Sequence, residues 1–293
     1  MGVFTSLSKG TNFTSKTSAM FGLTLVRQWR NSAQQRKYHT TGQLDVPLST
    51  VGLEQARLLG KHLEQQQFSH IFSSDLSRAR ETARCILEMN QETVCQVIED
   101  ARLRERKFGS AEGKGLLSLK EAARKVKQSV SDYTPPGAET LDQVHQRAVG
   151  FVQELCQDLR CSLPPTEAST KPSQESQPSA EGQQATNEYA TSSGSSCGDD
   201  ESAALVANVL VVSHGALLRE IVRHLVDTFG CLVPGNRAQT LSPNGAVSRF
   251  TVDLCVREGP RAICHEFHDR EHLMQQGSGH FQGNVLSAEN TAL

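Results

Sequence analysis

Transfer of a phosphoryl group calls for a nucleophile, guanidinium forks for the equatorial oxygens and an acid for the departing alkoxide. Separated stretches of this chain hold most of that set. Asn208-Val-Leu-Val-Val-Ser-His-Gly215 puts His214 at the carboxyl end of an apolar run, just before a helical pattern begins. Open α/β sheets place their chemistry at such strand ends. Ser73-Ser-Asp-Leu-Ser-Arg-Ala-Arg-Glu-Thr-Ala83 sets Arg78 shortly after a second strand end, and Leu103-Arg-Glu-Arg-Lys-Phe-Gly-Ser-Ala-Glu-Gly113 contains Glu105. A further apolar run, Phe21-Gly-Leu-Thr-Leu-Val26, is followed by Arg27-Gln-Trp-Arg-Asn31.

Arg27 and Arg78 are suited to fork phosphate oxygens, with His214 as a further donor when protonated. Glu105 is the candidate acid. Its neighbours Arg102, Arg104, Arg106 and Lys107 favour its ionised form, so bound phosphate or burial must offset them. Each residue also has a plainer reading. A lone strand-end histidine is more often structural, an acid in an arginine-rich run is often a surface ion-pair partner, and a helical arginine is often solvated. The three motifs occurring together turn the balance toward a site. His265-Glu-Phe-His-Asp-Arg-Glu-His272 invites a metal reading, but alternation in a terminal strand leading into a charged tail explains it better. No metal and no cofactor is expected.

The elements that must position these residues follow from periodicity. Strands are predicted over 21–26, 70–73, 95–98, 206–212, 247–256 and 261–267, the first three and the fourth each leading toward helix-period patterns. Helices are predicted after Gly52, over 75–90, 116–130 and 139–159, and over 216–229. The order predicts an α/β fold with a mostly parallel central sheet and helices on both faces. Residues 162–203 turn to Ser, Pro, Gln, Glu, Thr and Gly with almost no aliphatics, and predict a disordered insert within one domain spanning 20–272. Residues 1–19 read as a disordered extension and 273–293 as a disordered tail.

With 293 residues, 37% of them hydrophobic, the chain can fill one large α/β core. A formal net charge of −2 gives no bulk attraction to nucleic acid or anionic lipid, so neither is an expected partner. A small phosphorylated ligand is. No apolar run is long enough for a membrane-spanning helix, so stable membrane insertion is not expected. The eight cysteines are scattered without C-x-x-C pairs, which predicts reduced thiols and a cytoplasmic location. Met1-Gly-Val-Phe-Thr-Ser6 loosely fits a myristoylation pattern. The Ser/Thr-rich, acid-free segment that follows fits a weak mitochondrial transit peptide.

The blocks together resemble the histidine phosphatase (phosphoglycerate mutase-like) superfamily, and within it the fructose-2,6-bisphosphatases. The matching pieces are Leu-Thr-Leu-Val-Arg27, Gly42-Gln43 with Asp45, and Phe72-Ser-Ser-Asp-Leu-Ser-Arg78. They continue with Leu103-Arg-Glu-Arg-Lys-Phe-Gly109, Thr134-Pro-Pro-Gly137, Glu139-Thr-Leu-Asp-Gln-Val144, Val211-Val-Ser-His-Gly-Ala216 and Ser242-Pro-Asn244. The resemblance implies a three-layer phosphoglycerate mutase-like fold and hydrolysis of a sugar phosphomonoester through a phosphohistidine, which would lower glycolytic flux. It also implies that Arg27, Arg78 and His214 surround the phosphoryl group and that Glu105 donates the proton.

The nucleophilic histidine belongs at position 28, where this chain has Gln28. An amide cannot form a phosphohistidine, so a chain with Gln28 is expected to have little or no turnover. The codons CAT GGA GAA ACx, read with one extra A after the first CA, become CAA TGG AGA AAC. These encode Gln-Trp-Arg-Asn, the residues at 28–31. One expectation is therefore that 28–41 is a short frame-shifted stretch. A broad phosphomonoesterase and a non-catalytic pseudophosphatase that binds phosphorylated ligands or a protein partner remain open beside the fructose-2,6-bisphosphatase reading.

Overall fold

A computed structural model describes residues 19–29, 40–130, 133–161, 205–254 and 259–274. The expected extension, insert and tail fall outside these, apart from Ala19, Leu273 and Met274, and so do residues 30–39 of the suspected frame-shifted stretch. A six-stranded sheet is built from β1 (Met20–Arg27), β2 (His70–Ser73), β3 (Val97–Glu99), β4 (Leu205–Ser213), β5 (Val247–Asp253) and β6 (Arg261–Asp269), in the order β3-β2-β4-β1-β5-β6. Pairing is parallel from β3 through β2 and β4 to β1, then antiparallel from β1 to β5 and β6. The helices are α1 (Thr50–His62), α2 (Ser77–Met89), α3 (Leu116–Lys125), α4 (Leu141–Cys161), α5 (Gly215–Phe229) and the short α6 (Glu271–Met274).

Strand alternation creates two cores. Phe21, Leu23 and Leu25 of β1, with Val209 and Val211 of β4, face Val144, Phe151, Leu217 and Ile221 of α4 and α5. Val26, Leu210 and Val212 point the opposite way and meet Leu59, Leu63, Ala79, Ala83 and Ile86 around α1 and α2. A strand buried on both faces reads as a continuous apolar run, which is why 206–212 shows no polar alternation. Each fully buried Leu or Phe contributes about 1.5–3 kcal/mol relative to exposure, so these layers fix the sheet that carries the site.

Several boundaries differ from expectation for local reasons. The helix expected over 139–159 begins at Leu141 because Thr140 and Gln143 form a reciprocal cap, Gln143 N–H donating to Thr140 Oγ1 at 3.1 Å and Thr140 N–H to Gln143 Oε1 at 2.9 Å. The helix expected over 116–130 stops at Lys125, since Lys127 takes a left-handed φ of 57° that ends the ladder. Helix α2 starts at Ser77 rather than at residue 75, and Asp45 from a distant loop caps it by accepting from Ser77 N at 2.7 Å and Ser77 Oγ at 2.6 Å. Those two donors, Ser77 Oγ foremost, hold the Asp45 carboxyl below its ordinary range. Among the described residues no helix is long and apolar enough to cross a membrane.

Candidate active site

The carboxyl ends of β1, β2 and β4 lie side by side, with Arg27 opposite Ser213 and Ser73 opposite Val212. That register brings together residues separated by more than half the chain. Gln28 Nε2 lies 3.2 Å from His214 Nδ1, and the other ring nitrogen of His214 lies 2.9 Å from Ser74 Oγ. His214 is the N-cap of α5 and wholly buried. Gly215 lets Arg27 close in, because a Cβ there would stand 3.0 Å from the Arg27 guanidinium carbon. Arg27 also donates to the Ser242 carbonyl, which ties the end of β1 to the loop before β5.

Glu105 is brought in by a different route. Its Oε1 accepts from its neighbour's N–H, Arg106 N, at 2.9 Å and from Ala216 N at 3.0 Å, so its carboxyl caps the first turn of α5 two residues beyond His214. A carboxylate is favoured at a helix N-terminus by the free N–H groups and the dipole. Ser213 Oγ donates to the Leu103 carbonyl at 2.7 Å and fixes the end of β4 against the same segment. Arg78, 4% exposed, donates to the carbonyls of Leu44 and Gly42, each at 2.8 Å. Gln43 between them donates to the Glu105 carbonyl at 3.0 Å, which joins the Arg78 loop to the Glu105 segment.

The basic run around Glu105 does not surround its carboxyl as its sequence suggests. Arg102 forks Asp100 and Glu154, Arg104 forks Asp75, and Arg106 donates to the carbonyls of Glu139 and Tyr133. The fork from Arg104 holds Asp75 below its ordinary range. The short 3₁₀ turn over Ala101–Leu103 followed by extended backbone fans successive side chains apart, so the charge that looks concentrated in sequence is spread over acids and carbonyls of several segments.

Sequence reasoning missed three supports. Arg147 of α4 donates to the carbonyls of Arg102 at 2.7 Å, Arg104 at 2.6 Å and Glu105 at 3.1 Å while pairing with Glu139 at 2.9 Å. Ser74 holds His214, and its place in Ser73-Ser74 at a strand end was the only available signal. His268, which a metal reading would have used, instead sits near Arg27. Burial first, then Arg237 and Arg27, push it down to about 4, so it stays neutral.

Gln28 and Trp29 fit this setting poorly. Among the described residues, Gln28 Oε1, Trp29 Nε1 and Asn244 Oδ1 are buried without a hydrogen-bond partner. Such orphans are exceptional in folded proteins. The Trp29 ring, packed with Leu48 and Ala56, lies 2.5 Å from where a Cβ on Gly245 would be. It therefore occupies space beside the loop that carries Asn244.

Two buried arginines, a strand-end histidine and a carboxyl at a helix N-terminus follow the carboxyl ends of the parallel strands. Residues 24–162 match the histidine phosphatase superfamily (branch 1), and the chain belongs to that superfamily, whose members include phosphoric monoester hydrolases. It is similar to the fructose-2,6-bisphosphatase TIGAR of Xenopus tropicalis, 34% identical over 278 residues that cover 90% of this chain and 99% of that protein. The fold is shared with a phosphoglycerate mutase of Bacillus anthracis, with a TM-score of 0.62 and 18% identity over 88% of this chain and 97% of that one. A mycobacterial glucosyl-3-phosphoglycerate phosphatase gives 0.58 and 21% over 86% and 100%.

Proposed function

We propose that this site is built to bind and hydrolyse a small sugar phosphomonoester of the fructose-2,6-bisphosphate kind, and that the chain with Gln28 binds without turnover. The observation that carries the reading is the 3.2 Å approach of the residue-28 side chain to His214. An imidazole on the same backbone would stand beside His214 with Arg27 close by, the arrangement in which a ring nitrogen attacks phosphorus while cationic donors stabilise the equatorial oxygens. Glu105 would protonate the leaving alkoxide and then draw the proton from water that cleaves the phosphohistidine. Arg78 would fork the phosphoryl oxygens, exchanging them for the loop carbonyls it now holds. No step in this sequence calls for a metal or cofactor. Removal of such a bisphosphate in the cytoplasm, where the scattered cysteines suit reducing conditions, would lower glycolytic flux.

The orphaned polar atoms of Gln28 and Trp29 support the reading that 28–41 is a frame-shifted translation produced by a one-base sequencing or gene-model error, and that the gene itself encodes His-Gly-Glu-Thr. Sequencing genomic and transcript reads across this stretch tests the origin, and an unambiguous CAA TGG AGA AAC in both would refute the shift. The function is tested by titrating fructose-2,6-bisphosphate into the purified chain while following phosphate release. Binding that is lost in Arg78→Ala, with no release, is expected. Heat unaffected by that substitution would refute the binding role, and release at enzymatic rates would show that position 28 does not hold the nucleophile.

A further inference from the structure

Away from the phosphoryl site, three residues distant in sequence converge where the last strand leaves the sheet. His62 ends α1, Asp269 ends β6, and His272 lies in α6. One donor atom from each lies within 4.8 Å of the other two, and His62 Nε2 stands 3.9 Å from Asp269 Oδ2. His272 carries the argument. It is only 4% exposed, and neither of its ring nitrogens has a hydrogen-bond partner among the described residues.

We propose that His62, Asp269 and His272 bind a borderline divalent cation of the Zn²⁺ class, clasping the end of β6 and α6 to the end of α1. Two imidazoles and one carboxylate suit Zn²⁺, whereas Mg²⁺ and Ca²⁺ prefer all-oxygen sites. Donors around tetrahedral zinc stand about 3.3–3.6 Å apart, given bonds of about 2.0–2.2 Å, so this set must contract by about 1 Å. Side-chain rotation supplies that, since His62 and Asp269 are each about one quarter exposed, at 25% and 23%. The Asp269 Oδ1 atom accepts from Glu271 N at 3.2 Å, which steadies the carboxylate with Oδ2 toward His62. The carboxyl end of α1 adds the negative end of a helix dipole.

One feature opposes the cation. Arg249 Nη2 lies 3.3 Å from His62 Nε2, although Arg249 also pairs with Glu266, which draws its charge the other way. The expected affinity is therefore micromolar rather than that of a closed structural site. The other histidines of the 265–272 run take no part. His265 is bonded to Thr251 at 2.8 Å, and His268 stacks on Phe267.

The test uses the full-length, tag-free, reduced chain titrated with Zn²⁺ against a chromophoric chelator, and with Co²⁺ followed by absorption. One equivalent is expected, with visible d–d bands and no thiolate charge-transfer band. His272→Ala and the more exposed His62→Gln should each weaken binding by at least about tenfold, as loss of metal-site contacts commonly does, while His265→Ala should not. Saturating Zn²⁺ should raise the unfolding temperature of the parent chain and not of His62→Gln. The His62 variant keeps the test decisive if His272→Ala fails to fold. No binding by the parent chain, binding with a thiolate signature, or binding unchanged in His62→Gln would overturn the proposal.

Discussion

Rebuilding the missing nucleophile is the sharpest test of how the site is put together. Gln28 and Trp29 are 4% and 6% exposed, and the second fills space beside Gly245. Gln28→His alone would restore the attacking ring beside His214 but leave the tryptophan over the loop. Gln28→His with Trp29→Gly removes both obstacles, and adding Arg30→Glu and Asn31→Thr completes the His-Gly-Glu-Thr string. Deleting a covalent nucleophile in another enzyme cost about a millionfold, or about 8 kcal/mol of transition-state stabilisation. The full reversal should recover a large part of that, at least about a thousandfold over the parent, and the single substitution much less. The assay is release of inorganic phosphate from fructose-2,6-bisphosphate, with rapid-quench trapping of an acid-labile phosphoenzyme. Background release from a folded four-residue variant would refute the assignment of position 28 as the covalent centre.

Other expectations are more local. Arg147→Ala should lower stability by about 3 kcal/mol, because it removes the guanidinium shared by the Glu139 carboxylate and three backbone carbonyls, and urea midpoints measure this. Gly109→Ala should cost at least about 2 kcal/mol, since φ there is 53° and a Cβ would meet the backbone of Pro136 and Gly137. Unfolding curves that match the parent would contradict that account. Burial, then His145, lowers the proton affinity of His224, so the folded state keeps this ring neutral while the unfolded chain takes up a proton as pH falls through 6.5. Stability should decline as pH falls below that value, and His224→Phe should flatten the decline, as read by denaturant midpoints.

Much of this architecture was legible because both core layers leave their period in the sequence. The central strands show as unbroken apolar runs, and α2 and α5 as one-sided patterns, so their existence and order follow from counting. The strand register sets Gln28 beside His214, and the Glu105 carboxyl reaches the first turn of α5. What stayed hidden depends on three-dimensional partners. The cap on α2 comes from Asp45, far upstream, and Arg102 and Arg104 take the acids Asp100, Glu154 and Asp75, the last two distant in sequence. Nothing in the spacing of Arg147 shows that it grips three carbonyls of another segment. His62 likewise has no sequence link to Asp269 and His272, which explains why the histidine-rich run alone gave no metal set.

The strand order has a consequence for how the molecule comes into being on the ribosome. Strand β1, which emerges first, borders only β4 and β5, both encoded in the last third of the chain. Until those are synthesised, the backbone N–H and C=O groups along both edges of β1 have no strand to pair with, and β2 has only the three-residue β3 beside it. Such distant pairings close slowly and leave sticky intermediates exposed. A nascent chain halted before residue 205 thus holds no finished sheet, and the apolar faces of its strands stay uncovered until the final strands arrive.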